Sequence, residues 1–478
     1  MKKRNIITRN TLKVKNKILL PLFVYIAGIL ILSSCEKFLS QESITEVAGE
    51  DMFTDFESLE SARIGLYNSL QDVSYYGSNY ILATEAHSDN GAVGGFDYAE
   101  LEELGNKSLT SSNLIVEDIW IAIYYSIYNA NRILGNIDNI TDATLSEDLK
   151  NDIKGETYAI RALAHFDLLR MFGEHWDINS TYGIPVVTSL LAPDATVSRN
   201  TVANTYEAII NDLTEAIILL SDEELRLGDG SYKGAQFITQ TNAKAILARV
   251  CQYKMDYELA EDYATQVIDA GYSFLSDTGA VENIYTSKLS NEAVFELVFN
   301  AQDKSFYNAY TYSRTDALRT EILYLASEDL GIFFGERPDD VRMNLVDYIN
   351  NDLSITPDGR TQKYRGEAFQ DNSAFIIRIA EMYLIRAEAK GYAFDGMSDI
   401  NTLRANRGLP AAAAVDTEEF LRILIDERRA ELNFEGHRYF DLAHFGLVNV
   451  VLGDGVLREF PIPLREVNAA GLKQNPGY

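Results

Sequence analysis

Thr239-Gln240-Thr241-Asn242-Ala243-Lys244-Ala245-Ile246-Leu247-Ala248-Arg249-Val250-Cys251-Gln252-Tyr253, a three-residue break, then Tyr257-Glu258-Leu259-Ala260-Glu261-Asp262-Tyr263-Ala264-Thr265-Gln266-Val267-Ile268-Asp269-Ala270: this stretch decides the fold. Apolar residues recur at i, i+3 and i+4 in both halves, the period of an α-helix with one buried face. Gly271 follows as a C′ residue. The break is too short for anything but an antiparallel turn. Alanines recur where two helices need to approach closely, alternating with large side chains. Tetratricopeptide-type helix pairs use that alternation at a period of about 34 residues. The repeat is loose here, so the pairs are TPR-like and imperfect. Such pairs cannot bury a face alone and must stack into a scaffold.

The same period extends outward. It predicts helices over Asp118–Leu134, Lys154–Phe172, Tyr206–Leu220, Phe375–Lys390 and Thr417–Phe434. Between them lie long irregular stretches. Tyr75–Ser112 is rich in Gly, Asn, Ser, Asp and Tyr. Ser273–Thr320 holds one strand-like run, Ala293–Phe299, and a polar-aromatic loop; Gly335–Ala374 carries turn residues. Loops of this length in a compact protein are usually functional. From Val448 the pattern predicts a short hairpin and an extended tail. The fold class is therefore mainly α: TPR-like helix pairs forming a scaffold, with long ligand-binding loops and a few short strands.

Charge and composition exclude several classes. With 42 Lys+Arg against 71 Asp+Glu, the 478-residue chain carries a net charge of −29, which argues against nucleic-acid binding. Hydrophobic residues at 46% exclude wholesale disorder. Residues 1–17 hold seven Lys or Arg and no acid, and Ile18–Ile31 is uncharged. That is a basic segment followed by an apolar one of signal-peptide length, too short for a membrane span. It ends in Leu32-Ser33-Ser34-Cys35, small residues before a Cys, which resembles a bacterial lipobox. Residues 1–34 are expected to be removed and Cys35 to carry acyl chains; a signal anchor or ordinary signal peptide with an incidental Cys is the competing reading. Loss of the leader takes the net charge from −29 to −36. Cys251, the other thiol, lies in an apolar helical run and is expected to be buried and inert.

Enzyme signatures are missing from the sequence. It has no His-Glu-x-x-His, Gly-x-Ser-x-Gly, P-loop, Gly-x-Gly-x-x-Gly or paired Cys-x-x-Cys. His87, His165, His175, His437 and His444 lack the i, i+3 or i+4 spacing that chelates a metal on a helix. No catalytic residue, metal or cofactor is assigned. The charged run Asp426–Leu442 interleaves Glu427, Arg428, Glu431, Arg438 and Asp441 with Leu432, Phe434, Phe440 and Leu442. The apolar residues would bury this region, so its charges must pair. Glu427 and Glu431, one turn apart, have Arg428 and Arg438 within reach as partners.

That run, Glu427-Arg428-Arg429-Ala430-Glu431-Leu432-Asn433-Phe434-Glu435-Gly436-His437-Arg438-Tyr439-Phe440-Asp441-Leu442, resembles the C-terminal signature of the SusD/RagB family, surface nutrient-binding lipoproteins of Bacteroidota. Supporting segments span the mature chain. They are Cys35–Leu39, Arg161–Gly173, Arg378–Ala389, Asn401–Pro410, and the ending Phe460-Pro461-Ile462-Pro463 through Tyr478. The resemblance implies a SusD-like body over 35–478, with an N-terminal part of about 35–272 and a C-terminal RagB/SusD part of about 273–478. It also implies lipid anchoring in the outer membrane facing outward, and a SusC-like TonB-dependent transporter as partner, over which the lipoprotein acts as a hinged lid. The cargo is usually a glycan and in some relatives a peptide.

Sugars present an apolar C–H face and a rim of hydroxyls, so a site for them wants aromatic platforms beside polar groups. Two loops supply that mixture. The first gives Asp89, Asn90, Phe96 and Tyr98, preceded by Tyr75, Tyr76 and Tyr80. The second gives Tyr307, Tyr310, Tyr312 and Arg314, beside Phe306. Packing against the scaffold is the competing reading for each loop tyrosine. Neither Trp lies in these loops; Trp120 is expected in the core. Two alternatives to glycan capture stand: a TPR-like scaffold that binds only protein, or a peptide-binding lid. A lipid-anchored hydrolase is a third.

Overall fold

The helix starts are written in side chains. Asp55, Asn113, Ser146, Thr201, Thr239 and Asp416 each accept a backbone N–H of the first turn that they precede. They open α1 (Phe56–Leu70), α3 (Leu114–Asn136), α4 (Glu147–Phe172), α5 (Val202–Leu219), α6 (Gln240–Tyr253) and α10 (Thr417–Leu432). Between these lie α2 (Asn79–Ala86), α7 (Tyr257–Ile268), α8 (Ile379–Lys390) and α9 (Gly396–Asn406), and α11 (Arg438–His444) follows α10. These come from a computed structural model that describes residues 53–94, 98–192, 195–221, 236–275, 281–311, 314–315, 320–321, 323–347, 359–364 and 371–478. The leader and Cys35 lie outside the described residues.

The helices stack in sequence order. α1 packs on α3, α3 on α4, α4 on α5, α5 on α6, α6 on α7, α7 on α8, and α8 on both α9 and α10. Gly155 shows how close the approach is: a Cβ there would lie 2.6 Å from Leu220 Cγ, so a larger residue would force Leu220 to shift. Cys251 is buried in α6, and burial pushes its thiol up to about 12. Trp120 is 3% exposed in the core face of α3. The chain is mainly α, and the expected helix pair of α6 and α7 is present, with Gly271 at φ +99° closing it.

Two expectations are corrected. Phe375–Arg378 is not the start of a helix: Ala374–Arg378 is a fully buried strand, β4, antiparallel to β2 (Ala293–Leu297). Phe375, Ile376 and Ile377 are aromatic and β-branched, and the neighbouring strand outweighs the helical period. The tail from Val448 holds no hairpin; Val448–Leu452 and Leu464–Ala469 are short helices. The expected strand at Ala293 ends at Leu297. Two further short strands, β1 (Gly91–Val93) and β3 (Tyr324–Ala326), pair antiparallel with Val93 opposite Tyr324.

The end of α10 is an ionic core. Glu431 accepts from Arg378 at 2.8 Å, Arg407 at 2.8 Å and Arg342 at 3.2 Å. Glu427 accepts from Arg342 at 2.8 Å and Arg337 at 3.2 Å, and also pairs with Arg404. Arg407 reaches Glu292 at 2.8 Å, and Lys363 reaches Glu435 at 2.6 Å. Arg428 and Arg438 are not the partners of Glu427 and Glu431: Arg428 binds Asp441 at 2.7 Å and Arg438 binds Asp89 at 2.7 Å. A helix places i and i+1 on different faces, so neighbours in sequence serve different clusters. Burial alone would raise the Glu431 carboxyl, but Arg407 and Arg378 hold it well below the usual carboxylate range. Phe434 at φ +58° and Gly436 at φ +76° turn the chain sharply after α10.

Candidate functional site

The strand pair β1–β3 brings the two aromatic loops together. Gly94 N–H donates to Leu323 O at 3.0 Å, Leu323 N–H to Tyr310 O at 2.9 Å, and Phe306 N–H to Gly77 O at 3.1 Å. The first and the last of these bonds bridge more than two hundred residues of sequence, and a groove of about 310 Å³ lies where the loops meet. Tyr98, Tyr310 and Tyr324 line it, the rings of Tyr310 and Tyr324 6.3 Å apart. Phe306, 42% exposed, flanks Tyr310 with ring centroids 5.6 Å apart. The first two turns of α3 supply Leu114 and Asp118, and Asn79 and Glu100 add polar atoms. Tyr98 is 44% exposed, a ring presented to solvent. Burial, with Glu117 and Asp72 nearby, raises the Asp118 carboxyl. Aromatic faces beside carboxylates and an amide are the chemistry that binds a hydroxylated ring.

The structure brings together Tyr98 and Tyr310 from the sequence candidates. Others are placed in the interior. Asp89 takes Arg438 on both oxygens, at 2.7 and 2.8 Å, and Arg429 at 3.2 Å. Asn90 is fully buried, accepting from Arg429 at 2.9 Å and donating to Glu85 at 3.2 Å. Tyr307 is fully buried, stacked on Tyr364 at 4.2 Å, and donates to Tyr76 O at 2.6 Å. Phe306 precedes the short helix Tyr307–Thr311 and faces outward, so the two residues do not share an inner face. Arg314 sits in a two-residue strand paired with Thr320–Glu321. Phe96 and Tyr312 lie outside the described residues.

Tyr75, Tyr76 and Tyr80 form a second cluster, away from solvent. Their hydroxyls donate to Asp167 at 2.6, 2.6 and 2.9 Å, and Arg170 donates to the same carboxylate at 2.6 Å. All five His are buried; burial, aided by Lys107, lowers His87 to about 3, and burial with Arg161 does the same for His165. Both rings are therefore neutral at physiological pH. Among the described residues no group of His, Cys, Asp and Glu is arranged to hold a metal.

Sequence reasoning missed Tyr324, Asn79, Glu100 and Asp118. Tyr324 carried a readable signal, an apolar-aromatic run after the second loop; the other three are single polar residues on helix starts, where polar residues are ordinary.

Two family models match the chain. One, described as starch-binding and associating with the outer membrane, covers residues 37–255, and a SusD family model covers residues 340–447. A SusD-like protein of Formosa agariphila, P25, is 26% identical over 93% of this chain and 96% of its own length. The starch-binding protein SusD of Bacteroides thetaiotaomicron is 29% identical over 34% of this chain and 33% of its own. A SusD superfamily protein of known structure from Bacteroides thetaiotaomicron is 25% identical and superimposes with a TM-score of 0.77 over 88% of this chain and 100% of its own. A laminarin-binding SusD-like protein shares the fold, with a TM-score of 0.76 over 89% of this chain and 100% of its own at 22% identity. With two matched segments that together take in most of the sequence and a shared fold along nearly its whole length, the chain belongs to the SusD/RagB family.

Proposed function

We propose that this protein binds glycan chains in the groove between Tyr98 and Tyr310 and delivers them to a SusC-like TonB-dependent transporter. It acts from the outer face of the outer membrane, tethered through acylated Cys35. One observation carries the reading: loops more than two hundred residues apart are tied by backbone hydrogen bonds so that their aromatic rings border one open groove. Sugars stack on such rings while hydroxyls meet Asn79, Glu100 and Asp118. Membership of a family described as starch-binding, and a fold shared with a laminarin-binding protein, support the same cargo class. The N-terminal part of about 35–272 and the C-terminal part of about 273–478 then serve one site, because Tyr98 comes from the first and Tyr310 from the second.

Calorimetric titration with a panel of neutral oligosaccharides tests the binding role. Heat from at least one member, reduced about tenfold or more in affinity by Tyr98→Ala, supports it. Heat from none, with transporter binding intact, favours a protein-binding scaffold instead. The anchor is tested separately: Cys35→Ala is expected to leave the fold intact and release the protein from the membrane fraction.

A further inference from the structure

The charged side chains that border the groove among the described residues, Glu100 and Asp118, are both acidic. Neither is engaged in a described ion pair, unlike the interior carboxylates Asp89, Asp167 and Glu431, each of which holds an arginine. Glu117 and Asp72 stand close enough to Asp118 to raise its carboxyl further, so the local field is negative beyond the two lining groups. Among the described residues the rest of the lining is aromatic, aliphatic or amide and holds no cation to offset that field. We infer that the groove selects uncharged or amine-bearing glycans and rejects chains carrying uronate or sulfate groups. The inference rests on the glycan-binding role proposed above, and narrows it.

The physical reason is direct. A carboxylate on a sugar stacked against Tyr98 or Tyr310 shares a groove of about 310 Å³ with Glu100 and Asp118, which puts the like charges at short range. Like charges at that range repel unless water or salt screens them. A neutral hydroxyl at the same position donates to those carboxylates without penalty, and an ammonium is attracted. Exposure of Asp118 means that salt weakens the effect but does not reverse it.

The test is a matched panel. Oligosaccharides of an α-glucan, a β-glucan and a mannan are titrated into the purified protein at low salt, and then the same chains oxidised at C6 to carboxylates. For the chain that binds, the oxidised form is expected to bind at least tenfold more weakly, with the gap narrowing as salt is added. Glu100→Gln combined with Asp118→Asn is expected to shrink the neutral-to-acidic ratio by tenfold or more; circular dichroism confirms that this variant is folded. An oxidised chain that binds as tightly as its neutral parent overturns the selectivity while leaving glycan binding in place. A ratio unmoved in the folded double variant does the same. Binding by no member, neutral or oxidised, brings down the glycan reading and the selectivity with it.

Discussion

Two sets of tyrosines have opposite fates, although Tyr80 of the first and Tyr98 of the second stand only eighteen residues apart. Tyr75, Tyr76 and Tyr80 are at most 3% exposed, and all three hydroxyls converge on Asp167. Tyr98, 44% exposed, lines the same open groove as Tyr310. What separates them is the partner opposite. A buried carboxylate that can accept several hydroxyls turns tyrosines into a polar joint between α2 and α4, and the rings then pack on each other, Tyr75 on Tyr76 at 4.4 Å. Without such an acid the ring stays at the surface with its face free for a ligand. Tyrosine suits both uses because one end is apolar and the other polar.

The sharpest way to break the comparison is to remove the acid. Asp167→Ala leaves three buried hydroxyls and Arg170 without their shared acceptor. Losing one partner of a buried ion pair costs about 3–5 kcal/mol, read as a lower urea midpoint at constant slope. Tyr98→Ala should cost stability no more than about 0.5 kcal/mol, as for other surface positions. A small loss for Asp167→Ala would mean that the first cluster is packed by its rings alone.

Glu85, on the same helix as Tyr80, gives a pH test of the interior. Burial raises its carboxyl to about 7 from an ordinary 4.5, against hydrogen bonds from Asn90 and the backbone of Gly436 that lower it. The folded state thus holds the proton when the unfolded chain has lost it. Stability is full below pH 4.5 and falls as pH rises towards 7, then levels. The total is roughly 3 kcal/mol at 1.36 kcal/mol per unit, as an upper bound. Glu85→Gln lacks that slope, so its stability relative to the unsubstituted protein should improve between pH 4.5 and 7. Parallel denaturation curves across the range would contradict it. Asp118, in the groove, is exposed, so solvent screens its raised carboxyl and its substitution should change the pH dependence of stability far less than Glu85→Gln does.

In the groove the readout moves from stability to affinity. Tyr310→Ala and Tyr98→Ala should each cost about 2 kcal/mol of glycan binding, the loss typical of an aromatic anchor. Tyr307→Ala, three residues from Tyr310, should instead lower stability by about 3–5 kcal/mol, because its ring is fully buried on Tyr364.

Much of the scaffold was legible because it is local. The 3.6-residue period around Tyr253, the cap at Thr239 and the stop at Gly271 all act within a few residues of themselves. Phe375–Arg378 was misread because a strand partner eighty residues away, Ala293–Leu297, overrides the helical pattern. The ionic core was half legible. Apolar residues around Glu427 and Glu431 signal that the charges are buried, but Arg342, Arg378 and Arg407 are distant in sequence and nothing local names them. The groove was legible as two loops of the right composition. Which tyrosine faces outward was not, because the deciding partner, Asp167, lies some ninety residues from Tyr75.

The smallest expected effect tests whether the ring or the hydroxyl of Tyr98 does the binding. Tyr98→Phe keeps the aromatic face and removes one polar atom from a residue that is 44% exposed. A hydroxyl there is already satisfied by water, so its loss should change glycan affinity by less than about 1 kcal/mol, the net worth of one exchanged hydrogen bond. In the interior the same change has the opposite weight. Tyr75→Phe removes a 2.6 Å hydrogen bond to a buried carboxylate, which is worth about 1.5–3 kcal/mol. If Tyr98→Phe weakened binding as much as Tyr98→Ala, the hydroxyl would be the contact, and the groove would recognise its ligand by hydrogen bonding as the interior cluster recognises Asp167. A wide gap between the two variants would leave stacking as the mode of capture and keep the two clusters distinct in chemistry as well as in place.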